Sequence, residues 1–344
     1  MWARHFLSMN LPSDLRDALD TQTKGVNPSE LKRAAAELSK LYKTQQPPHH
    51  QFLDSRAHQL AYLAVRMPAT YGAVFEVLTR LKSFLEASRV QTLLDLGSGP
   101  GTASWATAAA VSTIEEVTLL ERNPAMVALG RDLARFAKST ALKAAHWVIG
   151  DIVNQGFGEH DLVIMSYSLG ELPKVARKSV LAKAWTSSRK ALVIVEPGTP
   201  AAFAHVIAAR TSLLEAGANL LAPCPHELPC PMERTDWCHF AARIERSRLH
   251  RFLKSGEHGF EDEKYSYVAA SKEPVALPTG RIVRHPRYSP GLVHLTLCVD
   301  GRIEIESIRQ SQSDVYRAAR KARWSDPWNG QEPDRKDNDS PTFS

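Results

Sequence analysis

The first 88 residues carry apolar side chains at helical spacing. Residues 27–30, Asn-Pro-Ser-Glu, have the composition of a helix start, and apolar residues recur every three or four positions over 31–42. The same spacing predicts a helix over 55–66, which should end before Pro68, and another over 71–86. We therefore expect residues 1–88 to form a helical N-terminal region that packs on the rest of the chain.

Residues 89–218 show a different pattern, in which short apolar runs alternate with helix-compatible stretches. The runs occupy residues 90–96, 117–121, 146–149, 161–166 and 191–196. Regular alternation of strands and helices predicts a mainly parallel sheet with helices on both faces. The expected fold class is therefore α/β, with a doubly wound, Rossmann-like sheet over residues 89–218.

The regular alternation ends at residue 219. A Pro-rich loop over 220–238 holds three of the four cysteines, and Asp300-Gly301 has the sequence of a hairpin turn. The elements predicted around them are a basic helix over 243–254, strands over 265–271 and within 281–308, and a short basic helix over 314–323. We expect residues 219–330 to form a Cys-rich, β-containing extension of the core, and the polar residues 331–344 to be a disordered tail.

Composition limits the classes of protein that fit. The chain has 344 residues, of which 43% are hydrophobic, and its formal net charge of +6 favours acidic partners such as RNA. Residues 1–10 lack the apolar segment of a secretory signal, and no uncharged apolar run approaches the ~20 residues of a membrane helix. We expect a monomeric, cytoplasmic protein in a reducing environment, with no membrane partner.

The stretch after the first apolar run carries the strongest chemical signal. Asp95 is followed by a G-x-G-x-G turn that contains Gly97, Ser98, Gly99 and Gly101. A strand, a glycine turn and a helix open a nucleotide-binding fold, and the free N–H groups of such a helix suit a phosphate or a carboxylate. The spacing differs from the dinucleotide G-x-G-x-x-G, and an acid before the first glycine is typical of S-adenosylmethionine (SAM) enzymes. These five residues are therefore candidate SAM-binding residues on a class I SAM-dependent methyltransferase fold.

Residues at the ends of the next three predicted strands extend this candidate site. Glu121 follows the second strand and could accept hydrogen bonds from both ribose hydroxyls, while Asp151 and Ile152 follow the third and suit an adenine amine and ring. Ser166 ends the fourth strand, beside the expected methyl group. Ligands of doubly wound sheets bind at the carboxyl ends of the strands, so all four are candidate SAM-binding residues.

No catalytic residue can be assigned from the sequence. The turn after the fourth strand, residues 166–169, lacks the Pro-Pro-aromatic motif of enzymes that methylate amino groups, and no cysteine nucleophile precedes residue 224. Tyr167, Glu171 and Glu196 could line the pocket, but packing, a helix start and a loop hydrogen bond explain them equally simply. We favour structural roles for these three and leave the catalytic residues unknown.

The cysteines form a second constellation. They are Cys224, Cys230, Cys238 and Cys298. Four thiolates can hold a 4Fe–4S cluster or a tetrahedral zinc ion, and the prolines between them would stiffen the loop. The spacing matches no common zinc signature, and the residues alone leave iron–sulfur and zinc open, as well as four unrelated buried thiols. We favour a metal site on these four cysteines.

Several segments together resemble one known family. They are residues 62–71, 95–102, 196–200, 224–226, 236–240 and 320–324. The chain resembles the methyltransferase-like proteins of the mitochondrial small ribosomal subunit and their bacterial relatives, over roughly residues 55–328. The resemblance implies a class I methyltransferase fold, a 4Fe–4S cluster on the four cysteines, and action on the small ribosomal subunit or its rRNA. It brings no agreed catalytic residue.

Clustered basic residues favour RNA as the partner. The clusters lie within residues 243–254, 281–287 and 317–323, with Tyr288 and Trp324 nearby, although each could instead be a solvated face. The leading hypothesis is a SAM-fold, iron–sulfur protein that binds or methylates small-subunit rRNA during ribosome assembly. The alternatives are a non-catalytic assembly factor with a vestigial or sensing SAM pocket, and a methyltransferase that acts on a small molecule.

Overall fold

The computed structural model describes residues 9–43, 53, 55–233, 236–256 and 258–330, so the tail predicted over 331–344 lies outside the described residues. The chain divides into two compact units. The first unit comprises Met1–Ala222 and Trp237–Pro274, and the second comprises Pro223–Asp236 and Val275–Ser344.

Helices open the first unit. They are α1 (Ser13–Thr23), α2 (Pro28–Lys43), α3 (Arg56–Ala61), a π-helical segment (Tyr62–Arg66) and α4 (Met67–Ala87). The helix start predicted at residues 27–30 is confirmed, because the side chain of Asn27 accepts a hydrogen bond of 2.9 Å from the N–H of Ser29. The break predicted before Pro68 is wrong. Pro68 is the second residue of α4, where its missing N–H is tolerated, and the chain reaches it through the wider turns of the π-helical segment.

A large sheet forms the centre of the first unit. Its strands are β1 (Thr92–Leu96), β2 (Glu116–Glu121), β3 (His146–Ile149), β4 (His160–Ser166), β5 (Ser188–Pro197), β6 (Asn219–Ala222), β7 (Phe240–Glu245) and β8 (Phe260–Ser271). The order is β3-β2-β1-β4-β5-β8-β6, with β7 also paired to β8. The first five strands pair in parallel and β8 runs antiparallel to β5. This is the doubly wound sheet of a class I methyltransferase, as the sequence predicts.

Helices follow the strands on both faces of this sheet. They are α5 (Thr102–Ala110), α6 (Pro124–Ala134), α7 (Thr140–Lys143), α8 (Lys174–Ser187), α9 (Pro200–Glu215) and α10 (Arg248–Lys254). Asn123 caps α6 by accepting a hydrogen bond of 2.8 Å from the N–H of Ala125, and Thr199 caps α9 in the same way. Strand order reverses between β1 and β4, so the crevice of the sheet opens beside the glycine turn.

The basic helix predicted over 243–254 is shorter than expected. Phe240, Ala242 and Ile244 are buried in alternation, which is the period of a strand, and they belong to β7. Only residues 248–254 are helical, after Ser247 caps the helix by accepting from the N–H of His250 at 3.1 Å. The basic residues from Arg243 onward favoured a helix in the sequence, although Arg243 itself belongs to β7.

The second unit is a small antiparallel sheet with one helix. Its elements are β9 (Gly280–Ile282), β10 (Arg287–Ser289), β11 (Leu292–Val299), β12 (Arg302–Arg309), α11 (Ser313–Lys321) and β13 (Pro327–Trp328). The order is β10-β11-β9-β13, with β12 paired to β11. The predicted hairpin turn is confirmed, since Asp300 and Gly301 join β11 to β12 with φ of 43° and 73°. Ile282, Val293 and Ile308 are fully buried in the core of this unit.

Within the described residues, no helix is both long and apolar enough to cross a membrane.

Candidate functional site

The glycine turn lies at the carboxyl end of β1, next to the end of β2. The N–H groups of Gly97 and Ser98 both donate to the carbonyl of Leu120, at 2.9 and 3.2 Å. Gly97 has φ +72°, and a Cβ at this position would lie 2.7 Å from the Cβ of Ser168. A side chain would therefore be strained by the backbone and would collide with the loop after β4. Gly101 has φ +85° and directly precedes α5.

Two acids support this turn in different ways. Glu121 Oε2 accepts from the N–H of Gly99 and Oε1 accepts from the N–H of Asn123, each at 2.8 Å. Asp95 is buried, and its Oδ2 accepts from Ser104 N at 3.1 Å and from Ser104 Oγ at 2.8 Å, which ties β1 to α5. Burial raises the pKa of Asp95 to about 7. Glu121 faces the crevice, whereas Asp95 lies beneath it.

A cavity of ≈ 400 Å³ opens at this edge of the sheet. Of the residues predicted from the sequence, its lining includes Gly97, Gly99, Glu121 and Ser166. The cavity extends along the ends of β4 and β5 to Glu196, near the end of β5, and to His205 on α9. Its volume is within the ~300–1,000 Å³ of small-molecule and cofactor pockets. The candidate residues from the first, second and fourth strands thus meet around one space.

The remaining predicted SAM-binding residues are not among the residues that line this cavity. Asp151 Oδ1 accepts from the N–H of Val153 at 2.8 Å, so its own turn uses the carboxylate, and Ile152 is buried. Ser98 and Asp95 are also buried, and Gly101 faces Leu119 and Trp147 rather than the cavity. Five of the nine predicted residues therefore lie outside the lining of this cavity.

The loop after β4 closes one side of the cavity and is held in a strained conformation. Tyr167 has φ +56°, which is uncommon for a residue with a side chain. Its N–H donates to the carbonyl of Val195 at 2.7 Å, and its hydroxyl donates to Glu263 Oε1 at 2.9 Å. Burial raises the pKa of Tyr167 above the ordinary range, so the hydroxyl stays a donor. The turn therefore has an aromatic residue, although it lacks the two prolines of the Pro-Pro-aromatic motif.

Two side chains, Glu196 and Arg177, hold the same loop. Glu196 Oε1 accepts from the N–H of Leu169 at 3.0 Å, while Arg177 donates to the carbonyls of Gly170 and Leu172 at 2.9 and 3.1 Å. Glu196 is buried, and burial raises its pKa to about 8. These contacts give Glu196 a positioning role for the loop.

Two buried polar atoms at the cavity have no hydrogen-bond partner among the described residues. They are Ser166 Oγ and His205 Nδ1. Burial lowers the pKa of His205, so its imidazole is neutral near pH 7. Buried polar groups in folded proteins are normally paired, so these atoms are suited to contact a bound molecule.

The N-terminal helices contribute residues that the strand-end argument missed. Tyr62, Arg66 and Thr70 line the cavity, and Tyr62 lies in the π-helical segment, where burial raises its pKa to about 12. Arg66 Nη2 lies 3.7 Å from Glu263 Oε1. A signal was present, because residues 62–71 are one of the segments that carry the family resemblance.

The four cysteines predicted to bind a metal are divided between the two units. Cys224, Cys230 and Cys298 belong to the second unit and Cys238 to the first, and all four are partly exposed. Within the second unit, His226 Nε2 lies 3.3 Å from Cys298 Sγ. No group of three or more His, Cys, Asp or Glu side chains in the described part of the chain is arranged to hold a metal ion. The four-cysteine metal site stays a prediction from the sequence.

Many cations of the predicted RNA clusters have structural partners. Arg243 forms two hydrogen bonds of 2.7 Å with Asp262, and Arg284 pairs with Asp236. Arg281 is buried and donates to the carbonyls of Pro223 and Ser325, at 2.7 and 3.0 Å. Within each sequence cluster, some basic residues thus pair with other groups of the protein and others are exposed at the surface.

Comparison with known proteins identifies the family. A family model described as "Mitochondrial small ribosomal subunit Rsm22" matches residues 56–329. The human ribosome assembly protein METTL17, mitochondrial, is 29% identical over 292 residues, which cover 78% of this chain and 61% of that protein. The mitochondrial Rsm22-cox11 tandem protein 2 of Schizosaccharomyces pombe is 27% identical over 319 residues, 78% of this chain and 42% of that protein. The chain thus spans less than two thirds of either relative.

Solved methyltransferase structures are also similar. Magnesium protoporphyrin IX methyltransferase from Synechocystis with bound SAM is 14% identical, with a TM-score of 0.38 over 58% of this chain and 79% of that chain. Precorrin-6y C5,15-methyltransferase from Geobacter metallireducens is 16% identical, with a TM-score of 0.37 over 58% and 88% of the two chains.

The comparisons contradict the cytoplasmic location predicted from the sequence, because the family model and these relatives are named for the mitochondrion. The absence of a secretory signal and of membrane helices does not distinguish the cytoplasm from an organelle interior. The resemblance seen in the sequence is confirmed: with the family model matching most of its length, the chain belongs to the Rsm22 family of methyltransferase-like proteins of the mitochondrial small ribosomal subunit.

Proposed function

We propose that this protein binds SAM in the cavity at the carboxyl edge of its large sheet and acts on small-subunit rRNA during ribosome assembly. The observation that carries the proposal is the contact between Glu121 and the N–H of Gly99, which joins the second strand to the glycine turn at the cavity wall. The proposal combines this geometry with membership of a small-subunit family.

The residues around the cavity fit SAM. Each oxygen of Glu121 accepts one backbone N–H, and a carboxylate has about four acceptor positions, so two remain for ribose hydroxyls. The glycine turn leads into the N-terminus of α5, whose N–H groups favour a carboxylate. Ser166 Oγ supplies a further group that has no hydrogen-bond partner among the described residues. Bound SAM would supply an electrophilic methyl group at this edge of the sheet.

Calorimetry with the purified full-length chain tests this cofactor. We expect the wild type to bind SAM and Glu121→Ala to lose at least tenfold in affinity, because two hydrogen bonds to a charged group are worth about 3 kcal/mol or more. Glu116→Ala, at the exposed start of the same strand, is the matched control and should bind normally. A wild type that produces no binding heat with SAM would refute the cofactor proposal.

The rRNA partner is supported by relatives and by charge. One relative is named a ribosome assembly protein, and this chain has a formal net charge of +6. Crosslinking in cells should recover small-subunit rRNA, and added salt should weaken the association because phosphate contacts release counterions. Recovery of no rRNA at low salt would contradict the proposal.

A non-catalytic assembly factor is the second candidate function. The observation that favours it is that Glu196 and Tyr167 both use polar atoms to hold the loop after β4. Mapping of rRNA methylation with and without the gene separates the two functions. Loss of a methyl mark indicates an enzyme, whereas unchanged marks together with immature small subunits indicate a factor.

The iron–sulfur cluster stays a prediction of the cysteine content and the family resemblance. Anaerobic purification tests it: the predicted cluster requires about four irons per chain and gives a brown protein. The Cys230→Ser variant should lose most of this iron. A colourless wild type with stoichiometric zinc would contradict the cluster and favour the alternative metal.

A further inference from the structure

A basic groove lies on the first unit where α10 packs against α2, remote in the sequence from the glycine turn. It is an open depression of ≈ 580 Å³. We call it the α10 groove, and the residues that line it are Lys32, Arg248, Arg251, Phe252, Ser255 and Gly256. None of these described lining residues is acidic.

The basic side chains of α10 divide into two sets. One set contacts Glu261, whose carboxylate lies 2.8 Å from His250 Nε2 and also pairs with Lys254. Arg248 and Arg251 form the other set, which is exposed and spaced three residues apart, so both lie on one helical face. In the described part of the chain, no acidic side chain forms an ion pair with either arginine. The groove is therefore positively charged, whereas Glu261 neutralises charge on the neighbouring side of the helix.

An exposed aromatic ring stands among these cations. The side chain of Phe252 is 46% exposed to solvent, whereas the next residue, Leu253, is buried. Lys32 Nζ lies 5.3 Å from the centre of the Phe252 ring, so the ammonium and the ring share one surface. Successive residues of α10 thus present a guanidinium, at Arg251, and a half-exposed aromatic ring, at Phe252.

We propose that the α10 groove binds a single-stranded segment of RNA, with Arg248, Arg251 and Lys32 on its phosphates and Phe252 stacked against one of its bases. Cations that follow the backbone beside an aromatic platform are the combination that single-stranded nucleic acids require. A duplex offers no unstacked base to such a ring. A lipid surface would favour a broad apolar helical face, whereas α10 has seven residues and Phe252 is its exposed large hydrophobic side chain. This inference deepens the proposed RNA partner and does not depend on the SAM pocket.

Fluorescence anisotropy tests the groove, with the full-length chain and a labelled single-stranded RNA of mixed sequence. Arg248→Glu combined with Arg251→Glu should weaken binding more than tenfold and should reduce the salt slope by about 0.7 for each phosphate that the variant no longer neutralises. Phe252→Ala should weaken binding on the order of tenfold with little change in the salt slope, and Phe252→Trp should retain it.

The matched control is Arg135→Glu with Lys143→Glu, which makes the same charge change at exposed positions elsewhere on the first unit. Circular dichroism should show equal folding for all variants. Equal loss of binding in the control, or RNA affinity unchanged in both groove variants, would overturn the proposal. The proposal would also be overturned if the groove variants lost binding to anionic lipid vesicles but kept binding to RNA. A wild type that binds no RNA would instead refute the proposed rRNA function as well.

Discussion

The carboxyl edge of the large sheet and the cysteine-bearing loop of the second unit differ in how they hold their polar groups. At the sheet edge, backbone N–H groups of Gly97, Ser98 and Gly99 are engaged by an adjacent strand and its terminal acid. In the second unit, Cys224, Cys230 and Cys298 lie in a Pro-rich loop and on β11, and the described thiols form no metal-binding group.

The difference follows from topology. In a parallel sheet every strand ends at the same edge, so the topology alone brings together residues that are dozens of positions apart in the sequence. An antiparallel hairpin and a loop have no common edge, and bringing four thiols together requires each side chain to be positioned individually. Strand topology alone therefore brings the residues of the first kind of site to one edge, whereas it does not do so for the second kind. Four substitutions test this comparison, in decreasing order of expected effect.

Gly97→Ala should have the largest effect. The substitution combines strain at φ +72° with a contact 2.7 Å from the Cβ of Ser168, so the free energy of unfolding should fall by roughly 2–5 kcal/mol. Gly25→Ala is the control, since Gly25 has φ +76° with nothing within 4 Å, and it should lose only about 1 kcal/mol. Equal losses in urea unfolding of the two variants would show that the close approach at the sheet edge is unimportant.

The pH dependence of stability should come from buried acids at the same edge. Burial raises the pKa of Asp95 to about 7, so the folded state binds more protons than the unfolded state above pH ~4. The stability that this group contributes is complete below pH ~4 and is lost as the pH rises through about 7. In the wild type this group should lower the unfolding free energy by roughly a few kcal/mol from pH 5 to pH 8. Asp95→Asn should remove that decrease.

Urea titrations at the two pH values measure this slope. Asp132→Asn on α6 makes the same substitution outside the sheet edge and is the control. An unchanged slope in Asp95→Asn would mean that Asp95 does not titrate in this range.

Tyr167→Phe should have a moderate effect. It removes the hydroxyl that donates to Glu263 at 2.9 Å, so the unfolding free energy should fall by about 1–2 kcal/mol. Tyr288→Phe in the second unit is the comparison, because that exposed hydroxyl lies 3.5 Å from its acceptor and should contribute under about 0.5 kcal/mol. The comparison between the regions would be weakened if thermal unfolding gave the two variants the same change.

Gly301→Ala should have the smallest effect. Gly301 has φ +73° like Gly97, but a Cβ would lie 3.4 Å from Leu228, which is ordinary contact. Only backbone strain remains, so urea unfolding should show a loss of about 1 kcal/mol. A loss as large as that of Gly97→Ala would indicate an unrecognised tight contact in the hairpin.

Prediction from the sequence succeeded where one local feature decides the structure. The strand before Gly97 and the turn at Asp300-Gly301 each depend on neighbouring residues, and both are present. It failed at Pro68 and at β7, where packing with distant elements overrides the local signal. At the candidate site, Glu121 and Ser166 could be placed from strand ends, but Tyr62 and Arg66 could not, because they reach the cavity from helices early in the chain.

The sequence by itself determined the α/β class, the glycine turn and the family, because these follow from apolar periodicity, from backbone conformations that favour glycine, and from motifs of contiguous residues. Only the tertiary structure decided which acids face the cavity, which cations are paired internally and which remain on the surface. Asp95 and Glu121 are both strand-end acids, yet one is buried against Ser104 and the other lines the cavity. The cause is physical: exposure and pairing depend on neighbours brought together by the sheet, and no residue type specifies those neighbours on its own.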